Sequence, residues 1–297
     1  MPTPATLQAL AAALAETTGL RIAERPGPSV GGGSISTCLQ WPAADGLLFV
    51  KLAHAARLDM LEAEAAGLDA LAAAQALRVP AVLGVGATRD QAFLALEWIE
   101  FGPARSGTES LLGERLARLH RATAARFGWH RDNTIGATPQ LNDWATDWVD
   151  FYARRRLGRQ LDLAERAGHG GRWLARGRDL CGRLGAFFTD YTPRPSLLHG
   201  DLWGGNWATD ASGAPVIFDP ATYYGDREAD LAMTRLFGGF GREFYAAYEA
   251  AWPLDRGAHA RRDLYNLYHV LNHLELFGGG YRAQAERMID RLLAEIR

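Results

Sequence analysis

Residues 197–206 read LLHGDLWGGN, a stretch in which two apolar residues lead into a histidine, an aspartate and an asparagine. Leu197 and Leu198 are typical of a short strand, and the glycines around Asp201 permit a tight turn after it. Asn206 follows Asp201 with four residues between them. An acid and an amide on such a turn belong either to an ordinary polar turn or to a chemical site, and the rest of the chain decides between the two.

The spacing of Asp201 and Asn206 matches the catalytic loop of kinases. A carboxylate can accept the proton of a substrate hydroxyl there, and an amide oxygen ligates magnesium without adding charge. Further along, VIFDPATYYGD (216–226) places Asp219 at an expected strand end, although an Asp-Pro step is also common in turns. Kinases need a carboxylate at this point to hold the magnesium that bridges the ATP phosphates. We therefore predict that Asp201 is the catalytic base and that Asn206 and Asp219 bind Mg²⁺.

The first third of the chain contains the parts that would hold ATP. Lys51 ends an apolar strand and can pair with a glutamate on the next helix. Glu64 is the preferred partner because apolar residues flank it, although Glu62 could form the pair instead. A glycine run lets backbone N–H groups approach phosphate, and ALEWIE (95–100) can present backbone groups to adenine. The predicted nucleotide-binding residues are Gly31, Gly32, Gly33, Ser34, Lys51, Glu64, Glu97, Trp98 and Ile99.

The composition is that of a globular protein. Hydrophobic residues make up 48% and charged residues 22% of the 297 residues, and the formal net charge is −2. This balance gives no basic field for nucleic acid or an anionic membrane. The N-terminal stretch lacks the basic region of a signal peptide, and no apolar run is long enough to span a bilayer. The spacing of Cys38 and Cys181 matches neither a metal site nor a disulfide framework. We expect a cytoplasmic protein without nucleic-acid or membrane partners.

Strand-like runs come first in the chain and helical patterns second. Residues 20–99 hold short apolar runs around one Ala-rich helix (58–77), and strand-like runs return later only within 196–224. This order predicts an α+β fold with two lobes. Residues 1–99 would form a small antiparallel-sheet lobe with one main helix that binds the nucleotide. Residues 100–297 would form a larger, mostly helical lobe that carries catalysis and acceptor binding.

Two features argue against a protein kinase that is switched by phosphorylation. Only ten residues separate Asp219 from Asp230, and no Ala-Pro-Glu sequence follows. Gly200 stands where many protein kinases carry the arginine that reads a phosphorylated loop. The sequence therefore favours a kinase of small molecules.

Longer segments resemble one kinase family. HGDLWGGN (199–206), FDPATYYGDREADLAM (218–233), FGGF (237–240) and the helical stretches 140–164 and 264–281 resemble the fructosamine kinase, or ketosamine-3-kinase, family, which is related to aminoglycoside and choline kinases. The resemblance covers nearly the whole chain. It implies a protein-kinase-like fold and transfer of phosphate from ATP, with Mg²⁺, to the 3-hydroxyl of small or protein-bound ketosamines such as fructosamines and ribulosamines. The phosphorylated product would then break down and release the amine.

The resemblance also suggests roles outside the nucleotide site. Trp203 could stack on the sugar ring or could simply pack, and His273 is either an acceptor-side residue or a hydrogen-bonded core histidine. Asp230 is expected to support the catalytic loop from a buried helix start. Two other functions stay open, namely a phosphotransferase for an aminoglycoside, a choline-like alcohol or another sugar, and a nucleotide-binding module without activity.

Overall fold

The computed structural model describes residues 4–31 and 36–296, and the chain divides into two units. The first comprises the residues up to Ala104 with Ala208–Phe218, and the second comprises Arg105–Trp207 with the residues from Asp219 onward. Residues 208–218, which the sequence assigned to the C-terminal lobe, therefore group with the N-terminal part. Backbone hydrogen bonds account for this: Gly102 N–H donates to the Thr209 oxygen at 2.9 Å, and Ile217 N–H donates to the Arg78 oxygen at 3.0 Å.

A four-stranded antiparallel sheet forms the centre of the first unit. Its strands lie in the order β1 (Thr37–Ala43), β2 (Gly46–His54), β4 (Gln91–Glu97) and β3 (Val82–Ala87). The sequence predicts a strand-like run over 79–88, but β3 begins only at Val82. Pro80, two residues before it, has no N–H for the hydrogen-bond ladder.

Two helices complete the first unit. α1 (Pro4–Thr18) places Leu14 against Trp41 of the sheet, in a core where both side chains are fully buried. α2 spans Leu58–Ala73 and is shorter than the predicted 58–77. Gln75 adopts a positive φ of 51°, which lies outside the helical region and ends the helix.

The second unit is mainly helical. A long helix begins as α4 (Trp148–Phe151), widens into a π-helical segment at Tyr152–Gly158 and continues as α5 (Arg159–Arg166). The helical pattern of residues 172–190 is divided in the structure into α6 (Arg172–Gly182) and a 3-10 helix at Leu184–Phe188. The remaining elements of the chain are α3 (Thr108–His120), β5 (Asn133–Ile135), β6 (Thr138–Gln140), β7 (Ser196–Leu198), β8 (Trp207–Thr209), β9 (Pro215–Ile217), β10 (Tyr223–Gly225), α7 (Glu228–Leu236), α8 (Arg242–Ala251), α9 (Ala258–Phe277) and α10 (Tyr281–Glu295).

α9 lies at the centre of the second unit and packs against α5, α7 and α10. Most of its side chains are buried, and they include the polar residues Asn266, His269 and Asn272. A helix buried on several sides needs no single apolar stripe, which explains its mixed sequence. Within residues 4–31 and 36–296, no helix has the length and apolar character needed to cross a membrane.

Candidate active site

A glycine-bearing turn brings Asp201 out of a buried strand. β7 pairs with β10 in antiparallel register, and His199 follows its last residue. Gly200 has a positive φ of 84°, and a Cβ atom there would lie 2.1 Å from the Ala221 carbonyl oxygen. Because only glycine fits this position, the chain can turn sharply and present Asp201 directly after the strand.

The three residues predicted to act on the transferred phosphate lie together in the second unit. Asn206 Nδ2 donates to the Asp201 backbone oxygen at 2.8 Å, to the Asp201 carboxylate at 3.3 Å and to the Asp219 backbone oxygen at 3.4 Å. These bonds use the amide nitrogen, so the carboxamide oxygen is the atom of Asn206 that can ligate a cation. Asp219 has a positive φ of 57°, an uncommon conformation for a residue other than glycine that often marks a functional site.

The charges of this group fit a bound magnesium ion. Burial raises the pKa of Asp201 well above its usual value, and the negative charge of Asp219 raises it further, while the hydrogen bond from Asn206 lowers it. The carboxylates of Asp201 and Asp219 and the amide oxygen of Asn206 make an all-oxygen donor set that carries negative charge. Mg²⁺ takes such oxygen ligands, and its charge would relieve the repulsion. Asn206 and Asp219 are the residues that would hold it.

Asp230, in the first turn of α7, fixes the backbone of the catalytic loop. Its buried carboxylate accepts the N–H groups of His199 at 2.7 Å and Gly200 at 2.8 Å, and it contacts His120 Nε2 at 3.1 Å. Burial opposes the ionisation of Asp230. The pKa of Asp230 nevertheless lies below its usual value, because burial is outweighed by the hydrogen bond and charge of His120, the charge of His199 and the Gly200 N–H. The predicted support of the loop by Asp230 is confirmed. His120 was missed, and its other ring nitrogen contacts the Tyr248 hydroxyl at 2.8 Å.

In the first unit, Lys51 on β2 and Glu64 on α2 form the predicted ion pair. The Lys51 Nζ atom lies 2.5 Å from Glu64 Oε1, and the two side chains are only 8% and 15% exposed. A charged pair that is largely removed from water is held in one geometry, because separating the partners would leave each charge buried. The ammonium group of Lys51 is therefore fixed against the sheet.

Residues 97–99, at the end of β4 and directly after it, form a connector in which the side chains of Glu97 and Trp98 are already engaged. Glu97 Oε1 accepts a hydrogen bond from Arg78 Nη2 at 2.7 Å. The indole N–H of Trp98 donates to Glu100 at 2.6 Å. The backbone of the connector is then its most suitable polar part for contact with an adenine edge, as the sequence predicts.

Only the beginning of the glycine-rich turn is described. Gly31 is exposed with open space around its Cβ position, whereas Gly32, Gly33 and Ser34 lie outside the described residues. The preceding residue is held beside β1, where Val30 N–H donates to the Cys38 oxygen at 3.0 Å. The chain that leads into the turn is thus attached to the sheet that carries Lys51.

Arg78 is a residue of this unit that sequence reasoning missed. Besides Glu97, its guanidinium contacts Asp210 Oδ2 at 2.5 Å, across 132 residues of chain. The hydrogen bond from the Ser212 hydroxyl has the largest effect on the pKa of Asp210 and lowers it. Burial opposes this shift, and further hydrogen bonds from backbone N–H groups and Arg78 lower the pKa again. Arg78 therefore ties the connector after β4 to the hairpin at 208–218, which separates Asn206 from Asp219 in the sequence.

A buried polar network supports the segment that joins Asp219 to α7. Asp226 accepts hydrogen bonds from the hydroxyl groups of Tyr265 at 2.5 Å and Tyr191 at 2.8 Å. Glu228 forms a two-bond ion pair with Arg261, at 2.7 and 2.9 Å. Both acids thereby connect this segment to α9, and none of these pairs is visible as a local sequence pattern.

Trp203 and His273, the two candidate acceptor residues, belong to one group of rings in the second unit. The Trp203 ring is 40% exposed and covers Gly205, where a Cβ atom would lie 2.3 Å from it. The Phe237 ring joins the two residues, with centroid distances of 6.4 Å to Trp203 and 4.8 Å to His273. His273 Nδ1 contacts the His269 oxygen at 2.8 Å, and burial lowers the pKa of His273, so its ring is neutral at pH 7.

Known proteins similar in sequence share nearly the full length of the chain. The sequence model of a family described as fructosamine kinase matches residues 6–295. A probable ketoamine kinase of Synechocystis is 47% identical over 98% of this chain and 98% of its own length. The chloroplastic protein-ribulosamine 3-kinase of Arabidopsis thaliana is 43% identical over 89% of this chain and 82% of its own length.

Solved structures share the architecture. A Haemophilus somnus protein provisionally described as a fructosamine-3-kinase has a TM-score of 0.86 at 28% identity, covering 96% of this chain and 97% of its own. A thermostable mutant of an aminoglycoside phosphotransferase has a TM-score of 0.66 at 15% identity, covering 96% and 98%. The second likeness concerns the fold alone. The predicted α+β, kinase-like fold class is confirmed.

Proposed function

The chain belongs to the fructosamine kinase family, and we propose that it transfers phosphate from ATP to the 3-hydroxyl group of ketosamines. It is an ATP-dependent phosphotransferase with an alcohol acceptor. The observation that supports the assignment of residues is the amide of Asn206, which joins the backbone and carboxylate of Asp201 to the backbone of Asp219. A proton acceptor and two oxygen ligands for a cation are thereby held in one arrangement.

Asp201 is the proposed proton acceptor. The acceptor hydroxyl must lose its proton as its oxygen bonds to the phosphorus atom. A raised pKa makes the Asp201 carboxylate a better base than an ordinary aspartate. The bonds from His199 and Gly200 to Asp230 keep the turn rigid, so the carboxylate stays aimed in one direction.

The remaining predicted residues have roles in holding the nucleotide. Bound Mg²⁺ supplies charge neutralisation for the transferring phosphoryl group. Asn206 and Asp219 would hold this ion, and Lys51, kept in place by Glu64, would contact the phosphates. The backbone of the glycine-rich turn and of residues 97–99 contributes to phosphate and adenine binding. The protein's contribution is then positioning and electrostatic stabilisation, which is what phosphoryl transfer requires.

The acceptor class rests on the names of the relatives. The Synechocystis relative is named as a ketoamine kinase and the Arabidopsis relative as a protein-ribulosamine 3-kinase. We assign ketosamines, free or attached to protein, as the acceptors of this chain. The phosphate is on C3, next to the C2 carbonyl of the ketosamine. When C1 loses a proton and the C1–C2 enaminol forms, the nitrogen lone pair can expel the phosphate from C3, and water then hydrolyses the resulting imine and releases the amine.

An acceptor panel tests the proposal. ADP release is measured with ATP and MgCl₂ in the presence of a ribulosamine, a fructosamine, an aminoglycoside or choline, with Asp201→Asn as the control. We expect turnover that depends on a ketosamine and is lost in the variant. Turnover with only the aminoglycoside or choline would show that this compound, and not a ketosamine, represents the acceptor class. ATP hydrolysis that no acceptor increases would favour a nucleotide-binding module.

A further inference from the structure

A cavity of about 510 Å³ lies at one end of the sheet in the first unit. It is bordered by the turn between β1 and β2, by the start of β3 and by the end of β4. Leu20, two residues after the end of α1, also lines it. Pockets that bind small molecules enclose about 300–1,000 Å³. The space is therefore large enough for a small organic molecule.

The floor of the cavity lies on the face of the sheet opposite Lys51. Leu48 lines the cavity and belongs to the core that α1 covers. Lys51 is three residues further along β2, and side chains alternate between the two faces of a strand. The Lys51 side chain accordingly points to the other face, where it pairs with Glu64 of α2. A ligand on this floor would leave the place assigned to the ATP phosphates free.

The floor of the cavity is apolar. Leu20, Ala43 and Leu83 are half-buried and pack against the same core as Leu48. Their remaining apolar surface is open to the cavity, and a ligand that covers it removes that surface from water. The floor therefore favours a ligand with an apolar body.

Three acidic side chains line the same cavity, and none of the described residues that line it is basic. Asp45 is exposed in the turn between β1 and β2, Glu97 ends β4, and Glu100 is exposed three residues later. Arg78 contacts Glu97 at 2.7 Å, but it shares its guanidinium between Glu97 and Asp210. The cavity thus combines negative charge with an apolar floor.

We propose that this cavity binds an organic cation, namely a small molecule with an apolar body and an ammonium group. The apolar body would cover the leucines, and the ammonium group would lie among the carboxylates, which repel an anion of the same size. This inference goes beyond the proposed function, because the floor of the site lies away from the residues assigned to phosphate and acceptor. Glu97 and Trp98 both line the cavity, so the bound cation would lie next to the connector at residues 97–99.

Titration calorimetry with three indole compounds tests the charge preference. Tryptamine is a cation, tryptophol is its neutral analogue, and indole-3-propionate is an anion of similar size. We expect the Kd of tryptamine to be about threefold to tenfold lower than that of tryptophol, and indole-3-propionate to bind more weakly than both. Tryptamine binding should persist when a non-hydrolysable ATP analogue and MgCl₂ saturate the nucleotide site.

Two variants remove one negative charge each and keep the shape of the side chain. Asp45→Asn retains a residue that turns favour, and Glu100→Gln retains an acceptor for the Trp98 indole N–H. Each should raise the Kd of tryptamine by about twofold to fivefold and leave that of tryptophol unchanged. Leu20→Ala should raise both Kd values, because it removes apolar surface that either compound would cover.

Asp90→Asn is the matched control. Asp90 is exposed and directly precedes β4, at the other end of the sheet from the cavity. We expect this variant to keep the wild-type Kd for both compounds, and thermal melting checks that all variants are folded.

Three results would overturn the proposed cation site: no binding of tryptamine, equal affinities for the three indole compounds, or an unchanged Kd of tryptamine in both charge variants. Loss of tryptamine binding in the presence of the ATP analogue would place the compound at the nucleotide site and would overturn it as well. Since no acceptor is present in these titrations, a failure to phosphorylate ketosamines would leave this result unaffected.

Discussion

Replacement of Asp230 by alanine removes the acceptor that fixes the catalytic loop. The side chains of His120 and His199 are fully buried, as is Asp230 at 1% exposure, so their hydrogen-bonding groups gain no water when the carboxylate is deleted. A hydrogen bond to a charged group contributes about 1.5–3 kcal/mol, and a buried donor left without an acceptor costs about 1–3 kcal/mol. Removal of one partner from a buried charged pair costs about 3–5 kcal/mol in measured cases. We expect the free energy of unfolding to fall by about 3–5 kcal/mol in Asp230→Ala.

Urea unfolding of the wild type, Asp230→Ala and Asp290→Ala measures this loss. Asp290 is a suitable control because it forms a surface ion pair with Arg176 at 2.9 Å and is 55% exposed; its loss should change stability by about 0–1 kcal/mol. In Asp230→Ala, ketosamine turnover should fall as well, since His199 and Gly200 lose their anchor. An unfolding free energy like that of the Asp290 variant, with unimpaired turnover, would refute the role assigned to Asp230.

Three further predictions concern the active site and the core of α9. Asp201→Asn should lower kcat by about 10²–10⁴-fold with nucleotide affinity largely kept. ADP release measures kcat and a nucleotide titration measures the affinity; a wild-type kcat contradicts the assignment of Asp201 as the base. Asp219→Ala should abolish the Mg²⁺ dependence of nucleotide binding in calorimetry, and an unchanged dependence removes Asp219 as a ligand. Burial lowers the pKa of His269 from 6.5 to about 3, so between these values the unfolded chain binds a proton that the folded protein does not. The contribution of His269 to stability should therefore decline as the pH falls below 6.5, by about 2 kcal/mol from pH 7 to pH 5. In urea titrations, the unfolding free energy of the wild type minus that of His269→Gln should fall by this amount over the same range; a difference that does not change with pH contradicts the buried neutral state.

Residues with partners nearby in the chain could be predicted from the sequence. Asp201 and Asn206 lie on one turn, and the glycines between them permit that turn, so their spacing carried the information. Lys51 and Glu64 lie on a strand and on the helix that follows it, which limits where the two side chains can meet. In the structure the predicted ion pair is formed at 2.5 Å, and Asn206 Nδ2 lies 3.3 Å from the Asp201 carboxylate.

Residues that depend on long-range packing could not be predicted in this way. His120 and Asp230 are separated by 110 residues. A histidine near the end of a helix looks the same in a sequence whether it faces solvent or a buried carboxylate. Arg156 is fully buried and lies 4.0 Å over the Tyr223 ring, although arginine is ordinarily a surface residue. Such partners are chosen by tertiary contacts, which local patterns do not encode.

The position of the transferred phosphate tests the proposed reaction most directly. The product of the wild-type enzyme with ATP, MgCl₂ and a ribulosamine or fructosamine is examined by phosphorus–proton correlation NMR, with Asp201→Asn treated in parallel. We predict a correlation from phosphorus to the proton on C3 of the sugar, in an amount equal to the ADP formed, and none in the variant. Phosphate on another oxygen of the sugar, or an unmodified ketosamine in the presence of released ADP, would contradict the assignment of this chain as a ketosamine 3-kinase.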